Sequence, residues 1–210
     1  MSKKRRANRS KSGFTLTELM ISMTVLGFLT AATMTFYTKG LNYANFDEGK
    51  QNVNRDLRTF TDELTDVATH ANYFRIYSSY TDREIKDDSE SGDFLALVYL
   101  DTEDNELIQK IVGFYRHVPE EATEGPVLKF EQSFTAGAYP SATTLEDVLP
   151  SLFTYGTHDE VIELSKGLAN NKLFYNFYSR SIMVRGEIVH DGSTTRKATN
   201  TYNFTVSPRG

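Results

Sequence analysis

The longest apolar run lies near the start of the chain, where Phe14 to Tyr37, FTLTELMISMTVLGFLTAATMTFY, carries a single charged residue, Glu18. At about 1.5 Å per residue, a helix of these 24 residues is long enough for a hydrocarbon core of about 30 Å. Past Lys39-Gly40 the pattern becomes one apolar stripe: Val53, Leu57, Phe60, Leu64, Val67, Ala71 and Phe74 recur at alternating steps of four and three. Asp47, Glu48, Lys50, Arg55, Asp56, Arg58, Asp62, Glu63 and Asp66 take the other face. The stripe predicts an amphipathic helix over 38–74 that packs on the chain's own sheet, a coiled-coil partner being the alternative. Gly40 and Gly49 are expected to loosen that helix, each by about 1 kcal/mol relative to alanine.

From about residue 75 the pattern shortens to β-type runs separated by acidic or Gly/Pro-containing stretches, which predicts antiparallel sheet rather than βαβ units. Phe94 to Leu100 is apolar on both faces and reads as a central strand. Further strands are expected at 107–117, 127–134, 161–164 and 174–178. Ser181 to His190 and Thr201 to Ser207 flank Asp191-Gly192, a dipeptide suited to a two-residue hairpin turn. In the last strand Tyr202, Phe204 and Val206 alternate with polar residues, so one face is buried and one wet. The stretch 133–152, punctuated by Gly137, Pro140 and Pro150, reads as an insertion. The fold class is therefore α+β: a long N-terminal helix on an antiparallel β-rich head.

Charge divides the chain. Lys3, Lys4, Arg5, Arg6, Arg9 and Lys11 put six bases and no acid into the first thirteen residues; the remainder holds 17 basic against 28 acidic residues, a net of -11. Such a body repels nucleic acid, and no nucleic-acid partner is expected. The basic flank places residues 1–13 in the cytoplasm and sends the chain beyond Tyr37 across the membrane. The chain has no cysteine, so it holds neither a disulfide framework nor a thiolate metal site.

A signal anchor and an ordinary signal peptide, cut after Ala32, both account for this composition but not for Glu18. A carboxylate is costly in hydrocarbon and calls for a partner. A cut between Gly13 and Phe14 creates one: the new amine of Phe14 lies four residues before Glu18, on the same helix face, and a neighbouring subunit's terminus is an equal candidate. Lys11-Ser12-Gly13-Phe14-Thr15-Leu16-Thr17-Glu18-Leu19 resembles the prepilin peptidase motif of type IV pilins and pseudopilins. The resemblance implies cleavage after Gly13, N-methylation of Phe14, and a role for Glu18 in docking the subunit into a filament. It covers about 25 residues. Gly27 matches a glycine that family members often carry, whereas Thr35 stands where many carry proline, which points away from a major pilin. The threonines and Ser22 suit a helix extracted from lipid into a bundle, or bond back to their own helix. By architecture the head is similar to the J-type minor pseudopilins and the W-type minor pilins.

The body shows no catalytic motif. His70, His117, His158 and His190 are isolated and expected at the surface or at caps, and there is no nucleophile elbow or phosphate-cradling loop, so an enzyme is not expected and no cofactor is implied. Two acidic loops offer oxygen ligands for calcium, with Asp87 and Asp88 in one and Asp101 and Asp104 in the other. Neither completes a calcium loop: position twelve of the first is Val98, where a bidentate Glu belongs, and the second reads as a solvated hairpin loop. Leu173 to Tyr178 is an aromatic run whose buried face alternation alone leaves open. The organisation expected is a cleaved leader at 1–13, a membrane and filament-core helix at 14–37, an amphipathic helix at 38–74 and an extracytoplasmic head at 75–210. The resemblance implies as partners a prepilin peptidase, other pilin or pseudopilin subunits, an inner-membrane assembly platform, and the bilayer before assembly.

Overall fold

The computed structural model describes residues 13, 15–101, 107–119, 122–135, 139–140, 143–193 and 196–209. The chain divides into two compact units, Met1–Ala44 and Asn45–Gly210. One helix, α1 (Leu16–His70), contributes to both, uninterrupted by Gly40 or Gly49. It ends four residues short of the stripe's expected limit at 74. Tyr73–Tyr77 forms strand β1 instead, and Asn72 makes the corner: its N–H donates to the Val98 carbonyl at 2.9 Å and its side chain accepts the Leu100 N–H at 2.8 Å. Phe74 continues the 3–4 spacing by arithmetic, but Tyr-Phe-Arg-Ile-Tyr is a β-type sequence and a ready strand partner decides its fate.

The other strands are β2 (Ser91–Gly92), β3 (Phe94–Leu100), β4 (Ile108–Arg116), β5 (Glu124–Ser133), β6 (Asp159–Gly167), β7 (Phe174–Phe177), β8 (Ser181–Ser193) and β9 (Arg196–Val206). All pairs are antiparallel, and the described strands run β1-β3-β4-β5-β6-β8-β7-β2, with β9 added on β8. β8 gives one edge to two partners, Gly186–Ile188 to β6 and Ser181–Val184 to β7, and the other edge to β9. Asp191-Gly192 is not the hairpin turn. β8 continues through it to Ser193, which pairs with Arg196, and the register slips by one between His190 and Ser193. The dipeptide therefore lies at a bulge, another place where one extra residue and a permissive backbone are needed.

The two faces of the sheet are buried differently. On one, Val53, Phe60, Leu64 and Ala68 of α1 pack on Leu95, Leu97, Val112, Phe114, Ile182, Val184, Tyr202 and Val206. Phe60 is fully buried, its ring edge-to-face with Phe114, Tyr202 and Phe204 at 5.7–6.2 Å between centroids. The Tyr99 hydroxyl donates to the Val67 carbonyl at 2.5 Å, and burial pushes that phenol up to about 12. On the other face, Phe94, Ala96, Val98, Ile111, Tyr115 and Phe130 meet Leu145, Val148 and Leu149 from a four-residue helix, α2 (Leu145–Val148), and its flank. The insertion expected between β5 and β6 is thus the second lid of the core. β3 needs both lids, which is why it is apolar on both sides.

Two of the histidines, His158 and His190, are less superficial than expected. His158 lies half-buried among Tyr80, Tyr115 and Phe130, its Nδ1 2.7 Å from the Tyr115 hydroxyl. Burial holds its imidazole below the ordinary 6.5, Asp159 opposing the shift. Because the unfolded chain then binds the extra proton more readily, this contribution to stability is complete above pH 6.5 and lost as pH falls through the folded value. We expect the melting temperature to fall between about pH 7 and pH 5, and to fall less in His158→Gln. Equal slopes would show that His158 is not titrating in a shielded site. His190 is also enclosed, with Nε2 2.7 Å from Asp56 of α1 and Nδ1 3.3 Å from Glu163 of β6, and so joins helix to sheet. His70 stands in the last turn of α1, its Nδ1 2.8 Å from the Asp66 carbonyl, and His117 comes directly after β4.

Candidate functional site

The residues around the start of α1 explain why the helix begins where it does. Leu16 opens it, and Thr15 is its N-cap: the Leu19 N–H donates to the Thr15 carbonyl at 3.1 Å as the first helical bond. The Thr15 hydroxyl accepts the Glu18 N–H at 3.3 Å, and Glu18 Oε2 accepts the Thr15 N–H at 3.0 Å and the Thr15 hydroxyl at 2.8 Å. This reciprocal pair is a capping box, which satisfies donors that a helix start otherwise leaves open. Thr17 adds a hydroxyl contact to Thr15 at 3.1 Å.

Glu18 is thus held by its own helix in the uncut chain. The expected amine partner, at Phe14, lies outside the described residues, and Gly13 is exposed. Thr15 is a site residue that the charge argument missed. The signal was present, since Thr-x-x-Glu directly before an apolar run is the sequence form of a capping box.

Beyond the cap, α1 carries a row of exposed apolar side chains, among them Met20, Ile21, Leu26, Phe28 and Phe36, and no residue of its most apolar window is buried. The helix is long and apolar enough to cross a membrane. Its hydroxyls are satisfied along the helix: Ser22, Thr24, Thr30, Thr33, Thr35 and Thr38 each donate to the carbonyl four residues back at 2.5–3.0 Å. Of the two roles open to these residues, back-bonding is the one seen, and it lets polar side chains sit in an apolar stretch without bare donors.

Residues 8–34 match the prokaryotic N-terminal methylation motif. The match supports a type IV pilin-like chain, processed by a prepilin peptidase and assembled with other pilin subunits, a family of structural subunits rather than enzymes. The chain matches no curated protein and no solved structure.

Of the calcium candidates, Asp87 and Asp88 have partners within the chain. The Asp88 carboxylate accepts the Ser179 hydroxyl at 2.5 Å, and the Asp87 N–H donates to Glu90 at 3.0 Å. Among the described residues no three His, Asp or Glu side chains are placed to hold a metal ion. Asp101 comes directly after β3, and Asp104 lies outside the described residues. The aromatic run around β7 divides between core and surface: Leu173, Phe174 and Asn176 are buried, whereas Phe177 and Tyr178 are exposed.

Proposed function

We propose that the chain is the precursor of a minor pilin or minor pseudopilin, cut between Gly13 and Phe14 by a prepilin peptidase and N-methylated at Phe14. Before assembly its apolar helix holds it in the inner membrane, leader in the cytoplasm and head in the periplasm. It then joins a type IV pilus or type II secretion pseudopilus through that helix, drawn in by the assembly platform. The observation that carries this reading is the methylation motif at residues 8–34, set at the start of an apolar, unburied helix. Thr35 in place of proline and the long cysteine-free head favour a minor subunit. Mass analysis of the mature N-terminus is the test. A chain beginning with methylated Phe14 supports the proposal, and one beginning near Thr33 would end it.

The capping box adds a second step to Glu18's role. In the precursor its carboxylate stabilises the helix start; after the cut, an amine four residues earlier competes for it. We expect Glu18→Ala to be cleaved but excluded from filaments, and Thr15→Val, which keeps the charge and loses only the side-chain cap, to assemble. Counting each variant in sheared filament fractions reads this out. Failure of both variants alike would mean that the cap, not the charge, is what assembly requires.

A further inference from the structure

Where β3 begins and β4 ends, Asp93 and Arg116 face each other with almost no exposure, 3% and 4%. Arg116 Nε donates to Asp93 Oδ1 and Nη2 to Oδ2, both at 3.0 Å, and the Leu173 N–H donates to Oδ1 at 3.0 Å. Lys172 Nζ lies 3.2 Å from Oδ2. That carboxylate is saturated by four donors from three residues, two of which carry a full positive charge. Arg116 spends further donors on neutral groups, the carbonyls of Asn171 at 2.6 Å and Thr123 at 3.3 Å, and Lys172 also reaches the Ser78 carbonyl at 3.3 Å. One carboxylate against two cations leaves an excess positive charge among these described groups.

That charge lies in the wall of a cavity of about 400 Å³, bounded by Asp93, Arg116, Thr123, Lys166, Asn171 and Lys172 among others. Lys166 brings a third cation. On β5 its cross-strand neighbour Glu124 is engaged by Lys197 at 3.2 Å, on β8 it stands opposite Glu187, and among the described residues no carboxylate lies within ion-pair distance of it. The two lysines are brought together by the turn that links β6 to β7, two strands that follow one another along the same edge of β8. Asn170 and Asn171 adopt left-handed φ of 54° and 62°, and Ala169 and Lys172 exchange both backbone bonds at 2.9 Å, so the chain makes a tight two-residue turn before it rejoins the edge of β8 as β7. Gly167 permits this, because a Cβ there would stand 2.4 Å from the Lys172 carbonyl carbon.

Three cations against one carboxylate among the described lining residues, on a body whose net charge beyond residue 13 is -11, are not balanced by ion pairs among the described residues. We infer that the cavity binds a small oxyanion bearing two or more charges, of the phosphate or dicarboxylate class. The guanidinium is already held in its fork by Asp93, so Lys166 is the mobile point charge that meets the ligand, and Lys172, tied to Asp93 and the Ser78 carbonyl, turns its remaining donor to it. Arg116 supplies fixed positive potential behind them, little screened because it is buried.

The test is equilibrium dialysis of the purified full chain in detergent micelles against radiolabelled inorganic phosphate and, in a second arm, labelled succinate, at constant ionic strength set with chloride. We expect saturable binding of one anion per chain in at least one arm. Binding should weaken about tenfold in Lys166→Gln, the loss of one charged hydrogen bond, and vanish in Lys166→Gln/Lys172→Gln. Lys166→Gln removes no hydrogen bond or ion pair among the described residues, so it remains informative even if the double variant unfolds. Absence of saturable binding in both arms overturns the inference, as does equal binding by Lys166→Gln and the wild type. A rise in melting temperature shared by wild type and variant, without saturation, would be general salt stabilisation and would also count against it.

Discussion

Gly13→Val will accumulate as uncleaved precursor in the membrane fraction. Gly13 is exposed, a Cβ built on it meets nothing within 4 Å, and its backbone is not in the left-handed region. A side chain there costs this chain's own fold nothing, so any loss of processing must arise in the peptidase. A protease holds its substrate backbone extended against the catalytic groups, and a branched side chain beside the scissile carbonyl holds that carbonyl off. We expect the cleavage rate to fall about a hundredfold, the penalty typical of a reacting group misplaced by roughly 1 Å. Gly13→Ala should be intermediate. Intact mass of membrane-extracted chains, with or without the thirteen leader residues, is the readout. Normal processing of Gly13→Val would remove the cut from this bond.

The parts of this molecule that could be read in advance are those whose partners lie within a few residues. The apolar helix, the stripe on its second half and the two-faced run Phe94 to Leu100 are all local periodicities, and each is found in the expected element. The errors occur where a distant strand decides. Phe74 fits the helical stripe, yet β1 forms because β3 offers Leu97 opposite it. β2 is two residues long and exists through its pairing with Phe174 and Tyr175 of β7. Asp191-Gly192 reads as a turn, but β9 begins early enough to pair beyond it, which turns the same dipeptide into a bulge.

The site divides in the same way. Glu18 was legible because an acid in an apolar run is anomalous, whereas its partner in the folded chain, Thr15, is explained by helix capping rather than by charge. The cation excess around Asp93 was not legible at all. Asp93, Arg116 and the segment that holds Lys166 and Lys172 come from three separate stretches of sequence, and only the register of β3, β4 and β6 and the turn before β7 assemble them.

Phe60→Ala carries the largest stability loss we expect. Phe60 sits at the middle of the stripe, wholly buried, with three aromatic rings around it from β4 and β9. It is where α1 closes the face of the sheet that no insertion covers. Removing the ring forfeits its burial and leaves a cavity between rigid partners, a loss of about 3–5 kcal/mol. That is a large share of the roughly 5–15 kcal/mol available to a domain. Phe36→Ala removes the same atoms from the same helix at a position 84% exposed, so its effect on the head should stay within about 0.5 kcal/mol. With no tryptophan in the chain, near-ultraviolet dichroism of the tyrosines in detergent-solubilised full-length protein tracks the melting of the head. If the two variants melt together, the amphipathic half of α1 is not an integral wall of the core, and the packing of Val53, Leu64 and Ala68 against the sheet would have to be weaker than their burial implies.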